Sequence, residues 1–325
     1  MSEQIGMGVI GCGGIAGAHL PAYEAVDELR TVAVCDIDEE AARRAAEAHD
    51  VPAVYTDWGD LLGDEAVDAV SVLLPHHLHR DAAVAAAEAG KHVLCEKPMA
   101  VSLQEADDMI AAAEAAGVVL MIAQILRFRQ ANIRARELIG EGAVGEVRNV
   151  LRRRLGRSEG FRSEWARRPE EAGGWVLYGY GSHEVDMILW LTQAGATDVY
   201  AQARRNNPYW NDIDELTVQM ALGDGAMATY QHSLNTPFGA WGCMIIGTEA
   251  AMLVGSEQIQ VDGESIDVPL DSTAAWRAQV GEFARAVLEG GEPEASGRDV
   301  RRTMAALEAA RLSIRDGVVV DASKL

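Results

Sequence analysis

Lysine is scarce in this chain of 325 residues: Lys91, Lys97 and Lys324 are the only three. Arginine therefore supplies nearly all the positive charge, and a lysine at a key position stands out. Positive charge is itself in deficit, with 28 Lys+Arg against 50 Asp+Glu and a net charge of -22. Such a surface repels phosphate backbones and anionic lipid, which argues against nucleic-acid or membrane partners. Cysteine is sparse too. Cys12, Cys35, Cys95 and Cys243 form no CxxC pair and no ligand cluster. No metal centre or disulfide framework is expected, and a reduced, cytoplasmic setting fits. No uninterrupted apolar run reaches the roughly 18 residues of a membrane span. Met1–Gln4 shows no basic stretch leading into an apolar run, so no signal peptide is expected.

What remains is ordinary globular composition, 49% apolar and 24% charged. At roughly 150 residues per domain the length suggests about two domains. Short apolar runs alternate with helical stretches over the first third. Gly6–Ile10, Thr31–Cys35, Ala69–Leu74, His92–Cys95 and Val118–Ile122 read as strands. Helices are expected over Ile15–Val26, Asp38–His49, His79–Ala89 and Ser102–Ala116. Alternation at this pace implies βαβ units, and continuous apolar strands imply a parallel sheet covered on both faces. A doubly wound domain over residues 1–123 follows. From 124 to 325 the pattern changes. Strand-like runs at Asp198–Ala203, Glu215–Leu222, Met227–His232, Cys243–Ile246 and Ala251–Val254 follow one another without helices between them. They predict an α+β domain with an open, mostly antiparallel sheet. Its two last helices, Thr273–Glu289 and Val300–Arg315, could pack back on the first domain.

Gly11-Cys12-Gly13-Gly14-Ile15-Ala16 follows the first strand and opens the first helix. Gly11 allows a tight turn, Gly13 lets a pyrophosphate approach the backbone, and Ala16 lets helix and strand pack closely. Gly14 and Ile15 complete the loop before a helix N-terminus suited to phosphate. Asp36 ends the second strand, where a carboxylate accepts hydrogen bonds from a ribose diol. It would repel a 2′-phosphate, so NAD is favoured over NADP. Glu96-Lys97-Pro98 closes the strand His92–Cys95 on the ligand side of such a sheet. There Lys97 could share a proton with a hydroxyl; Pro98 fixes the turn, in cis or trans. His183 and Asp186 lie three apart near a helix start, and a histidine suits reversible proton transfer.

These residues place the chain close to a known group of enzymes. It resembles the glucose–fructose oxidoreductase, inositol dehydrogenase and rhizopine catabolism (Gfo/Idh/MocA) family over nearly its whole length. The resemblance rests on the glycine loop with Asp36, on Pro75-His76-His77-Leu78-His79, and on Ala89-Gly90-Lys91-His92-Val93-Leu94-Cys95-Glu96-Lys97-Pro98. It continues through Trp165-Ala166-Arg167-Arg168-Pro169 and Gly181-Ser182-His183-Glu184-Val185-Asp186. It implies an N-terminal Rossmann domain and a second domain whose sheet forms a homo-oligomer interface, in a dimer or tetramer. It implies NAD(P)-linked oxidation or reduction of a sugar or cyclitol carbinol, with Lys97 on the reacting oxygen and His183 taking the proton. Pro75, His76, His79 and Glu96 join the cofactor candidates. Arg127, Arg154, Trp165, Tyr178 and Tyr180 join the substrate candidates.

Three positions depart from the family pattern. Gly179 stands where an Asp is usual, Trp175 where a third glycine is usual, and His76 where Asn is usual. The missing Asp removes a substrate hydroxyl partner, for which Tyr178 or Tyr180 could compensate. Arg148, Arg152, Arg153, Arg154, Arg157, Arg162, Arg167 and Arg168 crowd one stretch. They suit an anionic substrate or, more simply, an interface or a solvated edge. The loop Asn206–Asp212 mixes aromatics and amides, as a sugar site or an ordinary loop would. Two other functions stay open. One is redox-neutral glycoside cleavage through a 3-keto intermediate on tightly held NAD. The other is a non-catalytic NAD-binding sensor.

Overall fold

Ile5–Ile10 (β1) is buried at every position, as a strand covered on both faces must be. The structure is a computed structural model that describes residues 4–160 and 163–325. Arg162 of the arginine stretch lies outside the described residues. The chain divides into two compact units, residues 1–125 with 272–301 and residues 126–271 with 302–325.

In the first unit β1 is followed by α1 (Ala16–Glu24), β2 (Leu29–Cys35), α2 (Glu39–Ala48), β3 (Ala53–Tyr55) and α3 (Trp58–Leu62). Then come β4 (Ala69–Val72), α4 (His79–Glu88), β5 (His92–Cys95), α5 (Leu103–Ala116) and β6 (Leu120–Ile122). The sheet order is β3-β2-β1-β4-β5-β6, with every pair parallel. The side on which successive strands are added switches between β1 and β4, which opens a crevice beyond their carboxyl ends. Asp38 caps α2 through bonds from the Glu40 and Ala41 N–H groups. Ser102 caps α5, which Gly117 ends in the left-handed region. The strand β3 and helix α3 are too short for their periodicity to show in the sequence.

The second unit contains α6 (Gln130–Gly140), β7 (Val147–Arg157), α7 (Pro169–Ala172), α8 (Gly181–Thr192), β8 (Ala196–Arg204) and β9 (Glu215–Leu222). They are followed by β10 (Met227–Ser233), β11 (Asn235–Gly247), β12 (Ala251–Val254), β13 (Gln258–Val261) and β14 (Glu264–Asp267). The chain then returns to the first unit with α9 (Ser272–Glu289) and the start of α10 (Gly297–Asp316). The end of α10 and the short β15 (Val320–Asp321) belong to the second unit. The nine strands run β14-β13-β12-β11-β7-β10-β9-β8-β15, antiparallel except for β7 beside β10. Val150, Cys243, Ile245 and Tyr230 are buried on the face that carries α8. The structure extends β11 eight residues before the expected Cys243 start and adds β13 and β14. Their segments, Gln258–Val261 and Glu264–Asp267, are too polar to announce a strand. Trp175–Tyr180 forms a single turn of π-helix before α8, a feature common at functional sites.

Candidate active site

The glycine loop separates a residue required by the turn from residues that leave space beside it. Gly11 has φ +102°, and a Cβ there would stand 2.4 Å from the Leu73 carbonyl oxygen. It is therefore glycine for the turn itself. Side chains at Gly13 or Gly14 would meet nothing within 4 Å, so these two leave open space where phosphates would lie. Ile15 is exposed at the start of α1, whose N-terminus carries no side-chain cap and no acidic residue. Ala16 is buried against the sheet. Asp36 Oδ2 accepts the Cys12 N–H at 2.8 Å, and Oδ1 accepts the Asp38 N–H at 2.9 Å. The carboxylate is thus held at the rim of the glycine loop. Ile37 beside it is 94% exposed, an apolar side chain in water that the sequence pattern did not single out.

The β4 and β5 ends are pinned to each other by a histidine. His79 is fully buried; Nδ1 lies 2.8 Å from the Pro98 carbonyl and Nε2 2.8 Å from that of Leu74. Burial lowers its pKa, although both bonds favour the protonated ring. With both nitrogens so engaged, His79 acts on a ligand only by positioning these turns. His76 is nearly buried beside it, after the extended Pro75.

Glu96 is also buried, and Oε1 meets His19 Nε2 at 2.9 Å. Its Oε2 accepts the Lys97 N–H at 3.0 Å. Burial alone would raise this carboxyl, but the His19 bond and charge and the Lys97 charge outweigh it and hold it below the usual range. His19 continues to the Tyr23 hydroxyl at 2.8 Å, which bonds Ser71. Lys97 thus stands half-buried on a turn that a buried network holds from below. The Lys97–Pro98 peptide bond is cis. No spacing in the sequence links His19 to Glu96, which lie 77 positions apart.

In the second unit, His183 lies half-buried in the first turn of α8. Asp186 does not turn toward solvent with it. It is fully buried and takes a bidentate pair from Arg127, 2.6 and 2.9 Å, plus a bond of 3.0 Å from Thr303 Oγ1. Arg127, a substrate candidate from the sequence, is 1% exposed and held in this lock. Tyr178, another, is fully buried and donates its hydroxyl to Glu308 at 3.0 Å. Burial and Glu308 push its pKa up. Neither side chain reaches an open surface in this arrangement.

Trp165, Tyr180 and Arg154 are brought together. Trp165 meets Trp175 at 5.5 Å, Trp175 meets Tyr180 edge-on at 6.0 Å, and Tyr180 stacks on His232 at 4.9 Å. The Arg154 guanidinium lies 4.4 Å over the Tyr180 ring. The tryptophan at the usual glycine position therefore extends an aromatic wall. Burial and the Arg154 charge lower the His232 pKa to about 3, so this ring stays neutral.

The arginine stretch splits by strand alternation. Arg152 and Arg154 point to Glu184, at 3.1 Å for Arg154, while Arg153 is exposed on the other face. Arg148, Arg157, Arg167 and Arg168 pair with Glu146, Glu159, Glu164 and Glu171 at the surface. In the loop before β9, Trp210 and the Asn207 amide are buried and bond the Ser158 carbonyl, which is anchoring. Tyr209 remains exposed.

Family models match both parts of the chain. Residues 5–124 match the oxidoreductase family with an NAD-binding Rossmann fold, and residues 132–253 match the GFO/IDH/MocA C-terminal domain. The chain belongs to this family of NAD-binding oxidoreductases. It is 30% identical over 332 residues to D-xylose 1-dehydrogenase (NADP(+)) 2 of Haloferax volcanii, covering 97% of this chain and 98% of that one. It is 31% identical over 257 residues to 1,5-anhydro-D-fructose reductase of Ensifer adhaerens, covering 74% and 75%. A levoglucosan dehydrogenase solved with NADH and levoglucosan shares the fold, with TM-score 0.92, 22% identity and coverage of 98% and 100%. Among the described residues no helix is long and apolar enough to cross a membrane.

Proposed function

We propose that this protein oxidises a carbinol of a sugar, sugar derivative or cyclitol with NAD as the hydride acceptor. The observation that carries the reading is the placement of Lys97. It stands on the turn after β5, held by the buried Glu96–His19 pair, at the sheet end that also bears the open Gly13–Gly14 loop. The loop fits a dinucleotide: there is room above Gly13 and Gly14, uncapped N–H groups at α1, and a carboxylate at Asp36. Bound NAD would supply the nicotinamide that accepts hydride. Asp36 would take the ribose hydroxyls and disfavour a 2′-phosphate, whereas one relative is named for NADP(+). Pro75 and His76 would border the cofactor, and Ile37 would lie against its adenine.

Lys97 and His183 handle the hydroxyl proton: one bonds the reacting oxygen, and the other accepts the proton as the carbonyl forms. Tyr180, Trp165 and Trp175 supply the apolar wall that sugar faces favour. Arg127 and Tyr178 support that wall from within. The open face of the second sheet, where Leu151, Met244 and Leu253 stand abreast, is the proposed homo-oligomer interface. Sedimentation analysis tests it.

An absorbance assay at 340 nm tests the main reading, with NAD and then NADP against inositols, aldoses, uronates, anhydrosugars and glycosides. A substrate-dependent rise that Lys97→Ala abolishes supports it. Gly179 favours one second reading, redox-neutral glycoside cleavage, because it removes a side chain expected at the substrate. Product formation with no lasting change at 340 nm would select that reading.

A further inference from the structure

A cavity of about 560 Å³ opens in the second unit between α6, α8, β7 and β11. Arg129, Asn132, Arg152, Arg154, Glu184 and Trp241 are among its lining residues. Its charge does not balance. Arg152 and Arg154 share one carboxylate, Glu184, which is 3% exposed. Arg129 stands at the rim, and among the described residues no carboxylate pairs with it. Partial desolvation of this exposed rim residue and the charges of Arg152 and Arg154 lower the Arg129 pKa, outweighing an opposing pull from Glu184.

A second feature points the same way. Helix α6 begins at this cavity, with Arg129 at its N-cap and Ala131 in the wall. Its first turn has no side-chain cap and no acidic residue. The Asn132 N–H is taken by the Arg129 carbonyl, but the Gln130 and Ala131 N–H groups and the positive end of the dipole add to the arginines. Converging guanidinium groups and helix N–H groups are the chemistry that binds oxyanions. Arg154 also lies 5.8 Å over Trp241, an aromatic that is 76% exposed.

We infer that this cavity grips the oxyanion of a small anionic sugar derivative, a carboxylate or a phosphate, through Arg129, Arg152 and Arg154. That the ligand is a sugar derivative rests on the reading proposed above; that it is an anion rests on the cavity alone. Glu184 serves as a positioning residue, holding two of the three guanidinium groups in place.

Titration calorimetry on the NAD-loaded protein tests the inference. The probes are D-glucuronate, glucose 6-phosphate, inorganic phosphate and, as the neutral control, glucose. At least one anion should bind, more weakly as ionic strength rises. Arg129→Gln should weaken that anion about tenfold or more and leave glucose unmoved. Glucuronate alone would mark a carboxylate site; the phosphates alone would mark a phosphate site. Arg154→Gln serves as a second variant should Arg129→Gln unfold, with thermal melting as the control for folding. The inference is overturned if no anion binds, or if a folded variant binds it as tightly as the wild type. The 340 nm assay reads separately: anion binding without NADH formation would remove the dehydrogenase reading and leave the cavity standing.

Discussion

Two buried carboxylate contacts sit beneath the candidate residues of the two units, and they differ in kind. In the first unit, Glu96 meets the imidazole of His19, and the same carboxylate receives the Lys97 N–H. In the second, Asp186 meets Arg127, which never deprotonates, and Thr303 closes the last opening. The first pair ends in a half-exposed lysine on a turn. The second is sealed on every side. Asp186, three residues from the candidate His183, is bound to Arg127 and Thr303 instead of facing solvent with it. A guanidinium in a bidentate grip fixes the helix that carries His183 and leaves no oxygen to spare.

Substitutions can break this contrast. The largest effect should come from Lys97→Ala. In the 340 nm assay kcat should fall by about 10²–10⁴-fold, the range for removing a group that handles a proton. NAD binding, followed by thermal shift, should persist. A variant within a factor of about three of wild-type kcat would end the role assigned to Lys97.

Asp186→Asn should come next, and on stability rather than chemistry. It leaves a buried guanidinium uncompensated, at a cost of about 3–5 kcal/mol in denaturant unfolding. Replacing both partners with apolar residues of similar volume, Arg127→Met with Asp186→Leu, should recover most of that loss. If the single variant unfolds like the wild type, the lock is not what holds α8.

The Glu96 pair should show in pH. Its folded pKa lies below the unfolded value, so its stabilisation is complete above the usual glutamate range. It is lost as pH falls through the lower folded value. Burial depresses the His79 pKa, so His79 likewise favours the fold above the ordinary histidine range and costs stability as pH drops below it. Unfolding midpoints taken from neutral to acid pH should fall less steeply in Glu96→Gln than in wild type. Parallel curves would remove the charge from the account of the turn.

The smallest effect, about 1 kcal/mol, is expected for Ser102→Ala, which removes the 3.2 Å cap on the Glu105 N–H. Kinetic constants should not move, since the cap holds only α5. A change in kcat would show that α5 feeds into the Lys97 turn.

Much of the first unit was legible in the order of its residues, because its ligand side is made by turns that directly follow apolar strands. Gly11 after β1, Asp36 after β2 and Lys97 after β5 each end a run whose period and composition declare it. The parallel sheet then carries all three to one edge. The second unit was harder to read. Its strands were expected, yet β13 and β14 are polar, and β11 starts where Thr236, Pro237 and Gly239 suggest a turn.

Local pattern therefore settled the strand and helix succession, the glycine turn and the residues that end the parallel strands, since periods and breakers act over a few neighbours. Partnership did not follow from it. Arg127 with Asp186, Tyr178 with Glu308, His19 with Glu96 and the two arginines on Glu184 join positions between 30 and 130 residues apart. Each was chosen by burial: a polar group taken from water must find a partner among whatever side chains folding brings near it. The same requirement withdrew Arg127 and Tyr178 from the surface, whereas Arg129, exposed at the rim of a cavity, has no carboxylate paired with it among the described residues.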